Sequence, residues 1–265
     1  MLTLTGLMKS FAGRRVLDGL DLHINAGDSM ALLGANGSGK TTTLRCIMGL
    51  ARPDDGTITI GGLDLASPGA RARLSYLPQK AVFPPTLTVR ETLDVVARLR
   101  GLDPRDVDRE LDGCGLVPLA GAAVGHLSGG ELQRLAMAVA FLPSVDLYLF
   151  DEPSANLDPA ASRVLFRRAR QLTRAGRTLL FATHVPADIR HLATRIVLLR
   201  NGRVESDAGG AFELRRYERM LGRDMWGDDH DDDSMLGAVS DDRGSDRPWL
   251  CDAHPVARAG AGRSR

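Results

Sequence analysis

Ser29-Met30-Ala31-Leu32-Leu33-Gly34-Ala35-Asn36-Gly37-Ser38-Gly39-Lys40-Thr41-Thr42 runs from a short apolar stretch through three glycines to a lysine and two threonines. The apolar residues read as a buried strand, and Lys40 to Met48 reads as a helix that Gly49 can end. Strand, glycine loop and helix in that order suit phosphate. Successive amides from Gly34, Ala35, Asn36, Gly37, Ser38 and Gly39 form an anion nest, and the following helix turns its positive dipole end to the same place. The glycines let the backbone approach closely. Thr41 offers a hydroxyl to Mg2+, and Thr42 a second one to an α-phosphate. The chain has 31 Arg but only three Lys, yet Lys40 is one of the three. A flexible ammonium reaches β- and γ-phosphate oxygens where a planar guanidinium fits less readily. These residue types imply a nucleoside triphosphate site.

With 265 residues, of which 43% are apolar, the chain can bury one large core, or one core and a small subdomain. A formal net charge of +1 supplies no field to attract a polyanion, so no nucleic-acid partner is expected. Cys46, Cys114 and Cys251 are odd in number and share no CxxC spacing, which argues against a disulfide framework or a zinc knuckle and fits a reducing cytosol. The start, Met1-Leu2-Thr3-Leu4-Thr5, is too short and polar for a signal peptide. No apolar stretch approaches the ~20 residues of a membrane helix. If a membrane is involved, another polypeptide crosses it.

Alternating residues at Leu2-Thr3-Leu4 and from Leu20 to Ile24 read as half-buried antiparallel strands, joined by Thr57-Ile58-Thr59-Ile60 behind a Pro53-Asp54-Asp55-Gly56 turn. From Thr88 to about Ala120 the period becomes helical, with Pro104 opening a second helix, so a helical subdomain is inserted there. Val145 to Phe150 and Thr178 to Ala182 are nearly continuous apolar runs, as in parallel strands covered on both faces, with Pro159 to Ala175 as the crossover helix. Ile196 to Leu199 adds a strand, and Asn201-Gly202 a turn. Beyond about Gly222, Asp228, Asp229, Asp231, Asp232 and Asp233 crowd together while large aliphatic residues thin out. Residues 223–265 read as a disordered acidic tail, with His230 a solvated member of the run rather than a metal ligand.

Asp151 and Glu152 stand at the carboxyl end of an apolar strand, where ligands gather in open α/β sheets. One carboxylate can hold Mg2+ and the other can accept a proton from water attacking a γ-phosphorus. Taken alone, the pair could also be a simple strand-ending turn. Ser128-Gly129-Gly130-Glu131 has the spacing of a capping box, so a purely structural helix start is a serious alternative. Yet glycines in the first turn cost helix propensity, about 1 kcal/mol each against alanine. A phosphate group meeting bare amides at the helix start would explain them.

With these motifs in this order, the sequence resembles the ATP-binding cassette family, the nucleotide-binding subunits of ABC transporters, over about residues 2–205. Walker A is Gly34 to Thr42, the Q-loop is at Gln79, the signature runs from Leu127 to Glu131, and Walker B ends at Asp151 beside Glu152. The D-loop is Ser154-Ala155-Asn156-Leu157-Asp158, and the switch histidine is His184. The resemblance implies an α/β fold: a P-loop NTPase core with a mixed sheet, an antiparallel β subdomain and an inserted helical subdomain at about 80–140, all within residues 1–222. It implies ATP and Mg2+ as ligands, with Thr41, Gln79 and Asp151 at the metal and Lys40, Gln79, Glu152 and His184 in the chemistry. It also implies a head-to-tail dimer in which Ser128, Gly129, Gly130 and Glu131 of one copy cover the γ-phosphate held by Lys40 of the other.

Three positions depart from the commonest family pattern. Phe11 stands where Tyr often stacks on adenine; Phe can stack too but has no hydroxyl, with core packing the lesser alternative. Glu131 replaces the usual Gln, and Val139 a frequent Arg. None removes a catalytic group, so a hydrolysis-competent enzyme is expected. Phe83 to Glu91 resembles segments near the transmembrane contact of single-cassette exporters. The resemblance therefore implies a transport ATPase, with export favoured, working through a separate permease on the cytoplasmic face of the membrane. The alternatives are a soluble ATPase of the same family acting on a macromolecular complex, which the lack of coiled-coil arms or a second cassette argues against, and a nucleotide-dependent binding module with little turnover, which Glu152 and His184 argue against.

Overall fold

The computed structural model describes residues 1–155 and 157–209. The acidic segment 223–265, with His230, and Asn156 of the D-loop lie outside the described residues. In chain order the elements are β1 (Leu2–Phe11), β2 (Arg14–Ile24), β3 (Ser29–Leu33), α1 (Lys40–Ile47), β4 (Asp55–Ile60), β5 (Leu63–Asp64), α2 (Pro68–Ala72), β6 (Leu74–Leu77), α3 (Val89–Arg100), α4 (Pro104–Gly113), α5 (Gly129–Phe141), β7 (Leu147–Asp151), α6 (Pro159–Arg174), β8 (Thr178–Ala182), α7 (Pro186–Leu192), β9 (Arg195–Arg200) and β10 (Arg203–Gly209).

Two sheets carry the fold. The first, ordered β2-β1-β4-β5, is antiparallel throughout. The second, ordered β10-β9-β3-β8-β7-β6, is parallel from β9 to β6, with β10 antiparallel at its edge. Side chains alternate across a strand, so each central strand serves two cores. Met30, Leu32, Leu147, Leu149, Leu180, Val197 and Leu199 join Leu2, Leu4, Ile24 and Ile60 of the antiparallel sheet and Leu44 and Ile47 of α1. Ala31, Leu33, Tyr148, Phe150, Phe181 and Leu198 face the other way, toward Leu93, Val107, Leu135, Phe141 and Leu165 of the helices. That double burial is why the runs at Leu147–Phe150 and Thr178–Ala182 are continuously apolar instead of alternating.

The expected α/β architecture is present, with some elements extended. β2 starts at Arg14, well before Leu20, and β4 starts at Asp55, inside the expected turn. Gly56 makes that possible: at φ 89°, a Cβ there would meet Gly6 O at 2.5 Å. The helical stretch is two helices, since α3 closes at Gly101 in the left-handed conformation (φ 65°) before Asp103 caps α4. β6 had no counterpart in the sequence reading, because its four residues include a serine. Ser75 is nevertheless buried, and its hydroxyl donates to Ala140 O at 2.6 Å. The pair Asn201 and Gly202, with φ of 49° and 76°, forms the two-residue hairpin turn that its sequence signals. Among the described residues, no helix is long and apolar enough to cross a membrane.

Candidate functional site

The loop from Gly34 to Gly39 leaves the carboxyl end of β3, and α1 starts at Lys40. Its backbone conformation depends on glycine twice over. Gly34, Gly37 and Gly39 have φ of 150°, 81° and 111°. A Cβ at Gly34 would meet Leu199 O at 2.3 Å, and one at Gly39 would meet Leu17 Cδ2 at 2.7 Å. β9 and β2 thus support the loop from beneath, and Gly202 N donates to Ser38 O at 3.1 Å from the hairpin turn. At Gly37 a Cβ would meet no atom of the described residues within 4 Å, so its glycine serves the turn alone.

The side chains fit a triphosphate. Lys40 Nζ donates to Gly34 O at 2.7 Å and to Ala35 O at 3.2 Å, which holds the ammonium over its own loop. Burial lowers its pKa, while Glu152 and Asp151 act to raise it. Ser38 Oγ is buried with no hydrogen-bond partner among the described residues, an orphan polar atom that a phosphate oxygen would satisfy. Thr42 is half-buried on α1. Phe11 is 48% exposed, with Lys9 Nζ 5.3 Å from its ring centroid, so it is a surface residue and not a core one.

β7 delivers both carboxylates. Asp151 accepts from Thr41 Oγ1 at 3.2 Å and from Tyr76 OH at 3.4 Å. Burial raises its pKa, the Thr41 hydrogen bond opposes this, and the charge of Glu152 adds to the rise. The chain then turns through a left-handed residue, Glu152 at φ 50°, whose amide donates to Ala182 O at 2.8 Å. A non-glycine residue in that region costs about 1–3 kcal/mol and persists only where its surroundings hold it. The turn separates the two carboxylates: Asp151 faces Thr41, whereas Glu152 Oε2 lies 2.8 Å from His184 Nδ1 and accepts from the His184 amide at 3.2 Å. The His184 ring is 63% exposed, and Glu152 only 10%. A nucleophilic water placed against Glu152 would meet a carboxylate that is buried, anchored and next to a phosphate loop.

Gln79 is exposed in the loop two residues beyond β6, on the strand flanking β7. Ser128 caps α5 as a full capping box, with Glu131 N 3.4 Å from Ser128 Oγ and Ser128 N donating to Glu131 Oε2 at 2.8 Å. The structural reading of that motif is therefore correct, but it does not account for the glycines. A Cβ at Gly129 or Gly130 would meet nothing within 4 Å among the described residues, and neither has positive φ. The signature also lies apart from the loop: α5 packs on β6, α3 and α4, whereas α1 packs on β2, β7 and β8. Lys40, Thr41, Asp151, Glu152 and His184 are thus assembled within one chain, and Ser128 to Glu131 is presented elsewhere.

Three contributors escaped the sequence reading. Tyr76 reaches Asp151 from β6, Thr183 stands beside His184 at the end of β8, and Asp188 lies in α7. A hydroxyl residue next to a known site residue was the available signal for Thr183. Tyr76 and Asp188 become visible only through strand order and burial.

Comparison with known proteins agrees with this geometry. The family profile described as "ABC transporter" matches residues 17–155. The Nod factor export ATP-binding protein I of Paraburkholderia xenovorans (strain LB400) is 38% identical over 201 residues, covering 74% of this chain and 66% of that protein's length. The protein of the same name from Ralstonia nicotianae (strain ATCC BAA-1114 / GMI1000) is 35% identical over 240 residues, covering 86% of this chain and 73% of the relative. A solved ATP-binding subunit of an ABC transporter superposes with a TM-score of 0.74 at 31% identity, covering 84% of this chain and 93% of that one. Fold, motif geometry and relatedness agree, and the chain belongs to the ABC transporter family as one of its ATP-binding cassettes.

Proposed function

We propose that this chain is the ATP-hydrolysing subunit of an exporter, in which two copies close head to tail over two ATP molecules and drive a separate membrane-spanning permease. The observation that carries the reading is Glu152, a buried carboxylate held at 2.8 Å by His184 Nδ1 beside the Lys40 loop. A binding module has no use for an anchored base at that place. Lys40 and the amides of Gly34 to Thr42 hold the β- and γ-phosphates, and Phe11 stacks on the base. Thr41, Asp151 and Gln79 would hold Mg2+, which when bound offsets the charge that develops on the phosphoryl oxygens. Glu152 takes the proton of the attacking water, while His184 keeps the carboxylate aimed at it. Ser128, Gly129, Gly130 and Glu131 of the second copy complete the pocket with bare helix-start amides.

Export is supported by the relatives, which are named as Nod factor export ATP-binding proteins, and a separate permease belongs to that reading. Placement at the cytoplasmic face follows from such a partner. The deciding experiment compares turnover and size-exclusion profiles of wild type and Glu152→Gln at saturating Mg-ATP. Loss of a general base should lower kcat by about 10²–10⁴-fold. The variant should also elute as a dimer only when Mg-ATP is present. Turnover at the wild-type rate in Glu152→Gln, or no association in either protein, would refute the reading.

A further inference from the structure

Glu152 has a second line of support that the assigned chemistry does not use. Asp188 and Thr183 are both fully buried, at 0% exposure. Asp188 Oδ2 lies 2.6 Å from Thr183 Oγ1. The same Thr183 oxygen accepts from Val185 N at 3.0 Å and stands 3.4 Å from Glu152 Oε2, the oxygen that His184 also holds. Ser154, two residues beyond Glu152, opposes the burial-driven rise of the Asp188 pKa, and Asp188 Oδ1 has no hydrogen-bond partner among the described residues. Asp188 thus meets the hydroxyl that borders Glu152.

A buried carboxyl with no cation paired to it among the described residues is costly, and an apolar side chain in the first turn of α7 would avoid that cost. Burial pushes the Asp188 carboxyl up, with Ser154 and Thr183 opposing and the charge of Glu152 reinforcing the rise. Helix capping does not account for it. Val185, at the N-cap of α7, makes no side-chain cap, and its amide is satisfied by Thr183 and not by Asp188. A hydroxyl donates once and accepts twice: when the Asp188 carboxyl carries its own proton, Thr183 Oγ1 accepts from Asp188 Oδ2 and from Val185 N, and the hydroxyl proton is left for Glu152 Oε2.

We propose that Asp188 is a positioning residue for the hydrolytic base: it fixes the Thr183 hydroxyl, which in turn keeps Glu152 Oε2 in the place it shares with His184. This rests on the ATPase reading above. The test uses Thr183→Val, Thr183→Ser, Asp188→Ala and the Thr183→Val/Asp188→Ala double variant. It reads kcat and KM for Mg-ATP, and amide hydrogen exchange at His184 in the nucleotide-free protein. Because small displacements of a reacting group are expensive, Thr183→Val and Asp188→Ala should each lower kcat by about 10- to 100-fold with little change in KM. The double variant should be no worse than either single change, because the two act as one unit. Thr183→Ser, which keeps the hydroxyl, should restore kcat to within about twofold of wild type. The His184 amide, which donates to Glu152 Oε2, should exchange faster in Thr183→Val even without nucleotide.

A folded Thr183→Val with wild-type kcat and unchanged His184 exchange would overturn the proposal, and so would losses that multiply in the double variant. An Asp188→Ala variant that folds and keeps wild-type kcat also overturns it; if Asp188→Ala does not fold, Asp188→Leu, which fills the buried place with apolar volume, takes its part with the same expected loss of about 10- to 100-fold. A wild type without turnover, or one matched by Glu152→Gln, would instead sink the ATPase reading, and His184 exchange would still report whether Thr183 holds the base.

Discussion

Gly130→Ala separates what the fold needs at the start of α5 from what the reaction needs. Among the described residues nothing calls for glycine there. The residue has no positive φ, and a Cβ would meet no atom of the described residues within 4 Å. Alanine should therefore stabilise the helix, by about 0.5–1 kcal/mol on propensity scales. For a domain of this size that corresponds to a rise in melting temperature of about 1–4 °C. The proposed function predicts the opposite sign for activity, since a methyl group at the second helical position obstructs the amides that are to meet the neighbouring copy's γ-phosphate. Losing one such donor costs about 10²–10³-fold in turnover. Thermal unfolding of the nucleotide-free protein and ATPase rates on one preparation measure both. A lower melting temperature would show that this backbone or a neighbour within the chain requires glycine. Unchanged turnover would show that no anionic group approaches that amide.

Gly39→Ala should behave differently, because at φ 111° its Cβ would press on Leu17 Cδ2 at 2.7 Å. Backbone strain and overlap should destabilise the protein by about 1–3 kcal/mol, visible as a lower melting temperature without nucleotide. Phe11→Ala should leave stability nearly unchanged, since the ring is 48% exposed, but weaken ATP binding. Loss of base stacking is worth about 1–3 kcal/mol, and affinity for inorganic triphosphate should not move; equal weakening of both ligands would remove Phe11 from the adenine site. Asp151→Asn should raise the melting temperature of the nucleotide-free protein near neutral pH. The reasoning is one of linkage: burial raises the native pKa of Asp151 above its ordinary 3.8, so above 3.8 the unfolded chain ionises while the native state resists, and stability falls as pH rises through that window. The advantage of Asn should be complete above the native pKa and vanish below 3.8, so a gap that persists at lower pH would contradict it.

The phosphate loop was legible because its requirements are local: an apolar run, three glycines and a lysine within one strand, turn and helix. Asp151 and Glu152 were legible because they end a continuous apolar stretch, and such stretches mark doubly covered parallel strands; His184 was legible only through its place in the family's order of motifs. Local spacing also identified the Ser128–Glu131 capping box, but it could not say whether the two glycines inside it answer to the chain or to something outside. Tertiary structure shows which glycines the described residues of the chain itself require. Gly34 and Gly39 are pressed by Leu199 and Leu17, which are distant in sequence, whereas a Cβ at Gly129 or Gly130 would meet no described residue within 4 Å. It also decided the company of the base. The order β6-β7-β8 brings Tyr76 to Asp151 and sets Thr183 and Asp188 behind Glu152. A periodic pattern records which face of an element is buried; which buried hydroxyl meets which carboxylate depends on strand order and register, and those are settled only when distant segments pack.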